Sequence, residues 1–124
     1  MPMFAATSLA ACAVAALCVG GPAVTPETSI VLSLSDTQGE TTSVRLTCDP
    51  ILGNHPQAES ACTALEQADG DFTKLPVEER MCTMIHSPVQ AQARGHWRGS
   101  PVEFTTEYSN RCLAGAHSGN VFAF

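Results

Sequence analysis

Basic side chains are scarce. Six Lys and Arg stand against twelve Asp and Glu in 124 residues, a formal net charge of −6, which argues against the cationic stripe that a nucleic-acid backbone requires and against a polybasic membrane patch. Chemical spacings are missing too. Neither Cys-x-x-Cys nor His-x-x-x-His occurs, and there is no Gly-x-Ser-x-Gly elbow, so neither a zinc site nor a hydrolase is expected. The four histidines, His55, His86, His96 and His117, show no ligand spacing; no metal or cofactor is expected, and the chain does not read as an enzyme. The length leaves room for one compact domain.

Charge is absent altogether from residues 1–26. Met3 to Val24 is Ala-rich, carries Phe4, Leu9, Val14, Leu17 and Val19, and ends in Gly20-Gly21-Pro22. This reads as the apolar core of a secretory signal peptide, cleaved after Ala23 to leave residues 24–124 as an extracellular protein free of the membrane. Such a peptide opens with Lys or Arg and none precedes Arg45, so the true start is expected upstream of Met1. A retained membrane helix is disfavoured, because the stretch is weakly apolar and lacks basic anchors. Leu9-Ala10-Ala11-Cys12 resembles a lipoprotein cleavage box, but the residues before Cys12 are too few for a basic region and an apolar core together.

Six cysteines divide into two in the leader and four beyond it: Cys48, Cys62, Cys82 and Cys112. An even count in an exported chain of this size reads as two disulfides. Four cysteines allow three pairings, of which the sequential one closes the shortest loops. In the chain-entropy picture those two loops contribute about 3 and 3.7 kcal/mol, comparable to the stability of a small domain.

Ser29–Ser35 is β-branched and apolar, and Thr41–Cys48 alternates Val44, Leu46 and Cys48 with polar residues, so the two form a hairpin about Asp36-Thr37-Gln38-Gly39. After a loop from Asp49 to His55, Pro56 fits the first turn of a helix with Ala58, Ala61, Cys62, Leu65 and Ala68 on its apolar face, stopped by Gly70. Val89, Ala91 and Ala93 alternate with polar residues, as do Val102, Phe104, Thr106 and Tyr108. They are read as a second hairpin turning through Gly95–Gly99. Asn110–Ala116 reads as a short helix and Val121–Phe124 as a last strand. Five strands with one or two helices on one face make an α+β domain.

Between the hairpins, Met81-Cys82-Thr83-Met84-Ile85-His86-Ser87-Pro88 is apolar without a sustained period. It reads as an exposed loop, tied by a half-cystine and stiffened by a proline, that can be held extended at low entropic cost. Proteases bind substrates extended. The bland alternative makes Met84 and Ile85 ordinary core residues of a strand. Trp97 is open to two readings, packing at a hairpin end or a stacking platform. So is Asn110, as a donor to loop carbonyls or as the cap of the helix containing Cys112.

Leu46-Thr47-Cys48 with Pro50, His55-Pro56, Ala61-Cys62 with Leu65, Gly70-Asp71, Met81-Cys82-Thr83-Met84, Pro88-Val89, Gly95 with Trp97 and Gly99, Tyr108-Ser109-Asn110 with Cys112, and Val121–Phe124 together resemble the subtilisin inhibitors of Streptomyces and related actinomycetes. The resemblance covers Ile30 to Phe124. It implies a five-stranded antiparallel sheet with two helices, bridges Cys48–Cys62 and Cys82–Cys112, and a homodimer formed through the sheets. It further implies inhibition of subtilisin-like serine proteases through a reactive loop of Met81, Cys82, Thr83, Met84, Ile85 and His86, with Met84–Ile85 as the scissile bond and Asn110 and Cys112 supporting the loop. Family members often carry Pro immediately before the specificity residue. Here Thr83 stands in that place, which lowers the rigidity expected of the loop. The competing reading is a secreted, disulfide-stabilised binding or structural module without inhibitory activity.

Overall fold

The computed structural model describes residues 27–124; the expected leader, its cleavage after Ala23 and Cys12 lie outside these residues. Within them run β1 (Thr28–Asp36), β2 (Thr41–Cys48), a short β3 (Leu52–Gly53), α1 (Ala58–Gln67), a 3₁₀ turn (Phe72–Lys74), β4 (Val89–Trp97), β5 (Ser100–Tyr108) and α2 (Arg111–Ala116). The strands form one sheet in the order β3-β2-β1-β4-β5, every neighbouring pair antiparallel. A five-stranded antiparallel sheet with two helices is therefore the observed architecture, and the bridges are Cys48–Cys62 and Cys82–Cys112.

Strand alternation decides what is buried. Ile30, Leu32 and Leu34 of β1, Val44 and Leu46 of β2, and Val89, Ala91 and Ala93 of β4 lie on the buried face, as a period of two requires when one face of a sheet is covered. Ala61, Ala64 and Leu65 of α1 and Ala114 of α2 join them in a single core. Phe122 is fully buried and sits among the rings of Phe72, Phe104, Tyr108 and Phe124, with centroids 6.1–6.4 Å away. The opposite face carries Val31, Arg45, Arg94 and Glu103, all exposed.

Both hairpin turns show why their residues are there. Asp36 Oδ1 accepts from the Gln38 and Glu40 amides, both at 2.9 Å, an aspartate closing its own turn. In the second hairpin β4 runs through Trp97, further than the sequence suggests. The turn is only Arg98-Gly99, both at positive φ (47° and 86°), the signature of a type I′ connection.

Three expectations need correction. Pro56 lies ahead of α1 rather than in its first turn: the helix begins at Ala58, and the Gln57 amide donates to His55 Nδ1 (2.8 Å). Val121–Phe124 is not a strand. Its backbone is satisfied locally and by side chains, with Phe122 N donating to Ser118 Oγ (2.9 Å), His55 Nε2 to Val121 O (2.7 Å) and Arg111 Nη1 to Phe124 O (3.1 Å). The fifth strand is instead Leu52–Gly53, inside the expected loop, where Arg45 N donates to Asn54 Oδ1 (2.8 Å) and Asn54 N to Arg45 O (3.2 Å). Trp97 is packing, not a platform: it is 5% exposed, and a Cβ on Gly70 would lie 2.3 Å from its ring. Among the described residues no helix is long and apolar enough to cross a membrane.

Candidate functional site

Residues 75–88 have no regular secondary structure. Their apolar side chains point away from the core: Met81 is 99% exposed, Met84 87% and Ile85 65%. This disposes of the bland reading of Met84 and Ile85 as core residues and makes the cluster a candidate binding surface. Thr83 and His86 are exposed alongside them, while Cys82 is half-buried.

An exposed loop keeps one shape only if its backbone is held, and five tethers hold this one. At the entry, Glu78 N donates to Ala116 O (2.7 Å). Next, the Arg80 guanidinium bonds both Glu78 and Asn120 Oδ1. Cys82 is bridged to Cys112 with a Cα–Cα distance of 5.7 Å. Beyond the tip, Ser87 N donates to Ser109 O (2.8 Å), which prolongs the β4–β5 pairing past Val89 and Tyr108.

The fifth tether lies directly under the tip. Asn110 Nδ2 donates to Thr83 O at 3.1 Å and to Ile85 O at 2.9 Å, while Oδ1 accepts from Leu113 N at 2.9 Å. Both readings of Asn110 are therefore realised by one side chain. Its oxygen caps α2, and its two N–H groups reach the carbonyls on either side of the Met84–Ile85 peptide bond. The residue is 5% exposed. Only this orientation of the amide satisfies all three partners, since two are acceptors and one a donor. Thr83 Oγ1 also accepts from Ile85 N (3.3 Å).

Asn110 and Cys112 are thus brought to Met81–His86, as the sequence suggests. The contributions of Ser87, Ser109 and Ala116 are not visible in it, because backbone tethers leave no mark on residue type. Glu78, Arg80 and Asn120 act through side chains, but polar residues of these types are ordinary on a surface, and the pairing of Arg80 with Asn120 across 40 residues leaves no local pattern.

The tip itself, Met81 to Pro88, carries no carboxylate, lysine or arginine. A surface depression of about 560 Å³ lies elsewhere, between α1 and Pro76–Glu78, and touches none of the tip residues. No group of three His, Cys, Asp or Glu among the described residues is arranged to hold a metal ion. The arrangement is an exposed apolar tip whose backbone is braced from beneath.

A family model described as subtilisin inhibitor-like matches residues 27–110. The chain belongs to the subtilisin inhibitor-like family. This family member is 39% identical over 94 residues to a protein of Streptomyces avermitilis described as a putative serine protease inhibitor, an alignment covering 76% of this chain and 64% of that one. It is 42% identical over 84 residues to the subtilisin inhibitor of Streptomyces albogriseolus, covering 66% of this chain and 58% of the relative. The alignments thus span about three fifths of the length of these two relatives. Among solved structures, Streptomyces caespitosus sermetstatin in complex with Bacillus licheniformis subtilisin matches with a TM-score of 0.59 and 30% identity, over 77% of this chain and 97% of that one.

Proposed function

We propose that this subtilisin inhibitor-like chain is a secreted inhibitor of subtilisin-like serine proteases, acting substrate-like through residues 81–86 with Met84–Ile85 as the reactive bond. The observation that carries this reading is the Asn110 amide, which grips the carbonyls on both sides of that bond while Met84 projects into solvent. The sermetstatin–subtilisin complex and the names of the relatives support the same partner class.

Met84 enters the protease's primary specificity pocket, and the catalytic Ser attacks the Met84 carbonyl. In a substrate the leaving segment then diffuses away. Here the Ile85 amine is retained, because Ile85 O is bound to Asn110 and Ser87 to Ser109. The acyl half is retained by Cys82–Cys112 and by Thr83 O on the same amide. Amine and acyl group thus stay at high effective concentration, and the bond re-forms faster than water removes the acyl group. Affinity comes from preorganisation, since a loop already held loses little entropy on binding. The protein acts by stoichiometric occupation rather than turnover.

Titrating active-site-calibrated subtilisin with the protein tests this. The expected result is a linear loss of activity to a stoichiometric end point, with any slow cleavage confined to Met84–Ile85. Full protease activity at excess protein refutes it and leaves a disulfide-stabilised binding module.

Export by a leader over residues 1–23 completes the proposal, and is supported by the uncharged run and the two disulfides. Homodimerisation through the uncovered sheet face bearing Val31 rests on the family resemblance. Light scattering at micromolar concentration is expected to give the dimer mass, and a monomer mass refutes it.

A further inference from the structure

The chain has four methionines, and the two beyond residue 3 are Met81 and Met84. The core is built from Ile, Leu, Val, Ala, Cys, Phe and Trp and uses no methionine, although methionine is a ready filler of irregular gaps. Both loop thioethers are instead presented to solvent, 99% and 87% exposed. All four cysteines among the described residues are in disulfides, so no thiolate there competes for an oxidant. Trp97 is buried. A mild two-electron oxidant meeting the described part of the molecule therefore finds its accessible soft sulfur concentrated in the tip.

We propose that Met84 is an oxidation switch: a peroxide converts its thioether to the sulfoxide and turns the inhibitor off. This rests on the reading of Met84–Ile85 as the bond offered to the protease. The sulfur lone pair attacks one oxygen of hydrogen peroxide, the O–O bond breaks, an S–O bond forms, and the other oxygen leaves as water. Sulfur is oxidised by two electrons and the peroxide is reduced. The product is a strongly polar, chiral group on what was a flexible apolar side chain. In an apolar specificity pocket its oxygen has no donor. Burying an unpartnered polar group of this kind weakens binding by about 10- to 100-fold.

Neither methionine belongs to the core, so the fold does not register the change. The switch is thus confined to the binding step, and methionine sulfoxide reductases reverse it. Met81 is oxidised alongside Met84 because it is at least as exposed, but it lies three residues from the bond and its oxidation has the smaller effect.

The test treats the full chain with hydrogen peroxide, removes the oxidant with catalase before any protease is added, and locates the added oxygens by peptide mass mapping. Subtilisin is then titrated with treated and untreated samples of the wild type, Met84→Leu and Met81→Leu, each variant being compared only with itself. The expected result is a treated-to-untreated inhibition constant ratio of about 10–100 for wild type and Met81→Leu, near one for Met84→Leu, an unchanged melting temperature, and recovery with sulfoxide reductases. A ratio near one for wild type with Met84 fully oxidised overturns the switch and leaves the inhibitor reading intact. So does an equal loss in Met84→Leu. Absence of inhibition in the untreated protein overturns both.

Discussion

Replacing Asn110 by Asp separates the two jobs of that side chain. Asp is as good a helix cap as Asn, so the bond from Leu113 N to Oδ1, 2.9 Å in the native chain, survives. The two N–H groups do not: a carboxylate oxygen now faces Thr83 O and Ile85 O, which lay 3.1 and 2.9 Å from Nδ2. Two neutral hydrogen bonds at about 0.5–1.5 kcal/mol each are removed and replaced by repulsion. The freed tip samples other conformations and has to be re-ordered on binding, which raises the inhibition constant by about 5- to 150-fold. Cleavage of Met84–Ile85 accelerates as well, because neither side of the bond is now held by residue 110. Asn110→Ala loses the cap too and costs about a further 1 kcal/mol of global stability. The assay pairs inhibition and cleavage kinetics against subtilisin with urea unfolding of both variants. If Asn110→Asp inhibits and resists cleavage like wild type, the amide does not brace the loop in the way argued.

Met84→Lys is expected to gain trypsin inhibition, because trypsin's pocket carries a carboxylate that Met84 leaves unpaired, whereas Met81→Lys does much less; equal behaviour of the two variants in active-site titrations places the reactive bond elsewhere. Burial holds the His55 pKa below its ordinary 6.5, outweighing its bond to Val121 O. The unfolded chain therefore binds more protons than the native one between the lowered value and 6.5, so this contribution to stability is full above about 6.5 and is lost as the pH falls through that window. Urea midpoints from about pH 7.5 to pH 5 are expected to fall less steeply for His55→Gln than for wild type, and parallel slopes refute the assignment.

The sheet's long strands were legible from two signals: Ser29–Ser35 is β-branched and apolar, and in Thr41–Cys48, at Val89, Ala91 and Ala93, and from Val102 to Tyr108 a period of two survives in the residues themselves. Val121–Phe124 misled because Val and Phe are β-prone. Val121 and Phe122 are indeed buried, but burial alone does not distinguish a strand from a segment whose carbonyls and amides are met by His55, Ser118 and Arg111. Leu52–Gly53 failed in the other direction, since two residues carry no period and their pairing depends on an asparagine side chain. At the site, composition left Met84 and Ile85 open between an exposed loop and the core of a strand, because an apolar run without a period fits both, and the family resemblance decided for the loop. The braces stayed hidden except for Cys112 and Asn110, whose chemistry is specific enough to be read one residue at a time.

Apart from Glu78 beside Arg80, every partner that braces the loop comes from residue 109 onward: Ser109, Asn110, Cys112, Ala116 and Asn120. The tip, by contrast, is synthesised more than twenty residues earlier in the chain. A polypeptide emerging amino-terminus first consequently presents Met84–Ile85 to its surroundings before anything exists to hold it, and for that interval the segment is an ordinary cleavable peptide. The device is armed last. Its one covalent tie, Cys82–Cys112, forms only where thiols are oxidised, so on the reducing side of a membrane the loop is left to its hydrogen bonds alone.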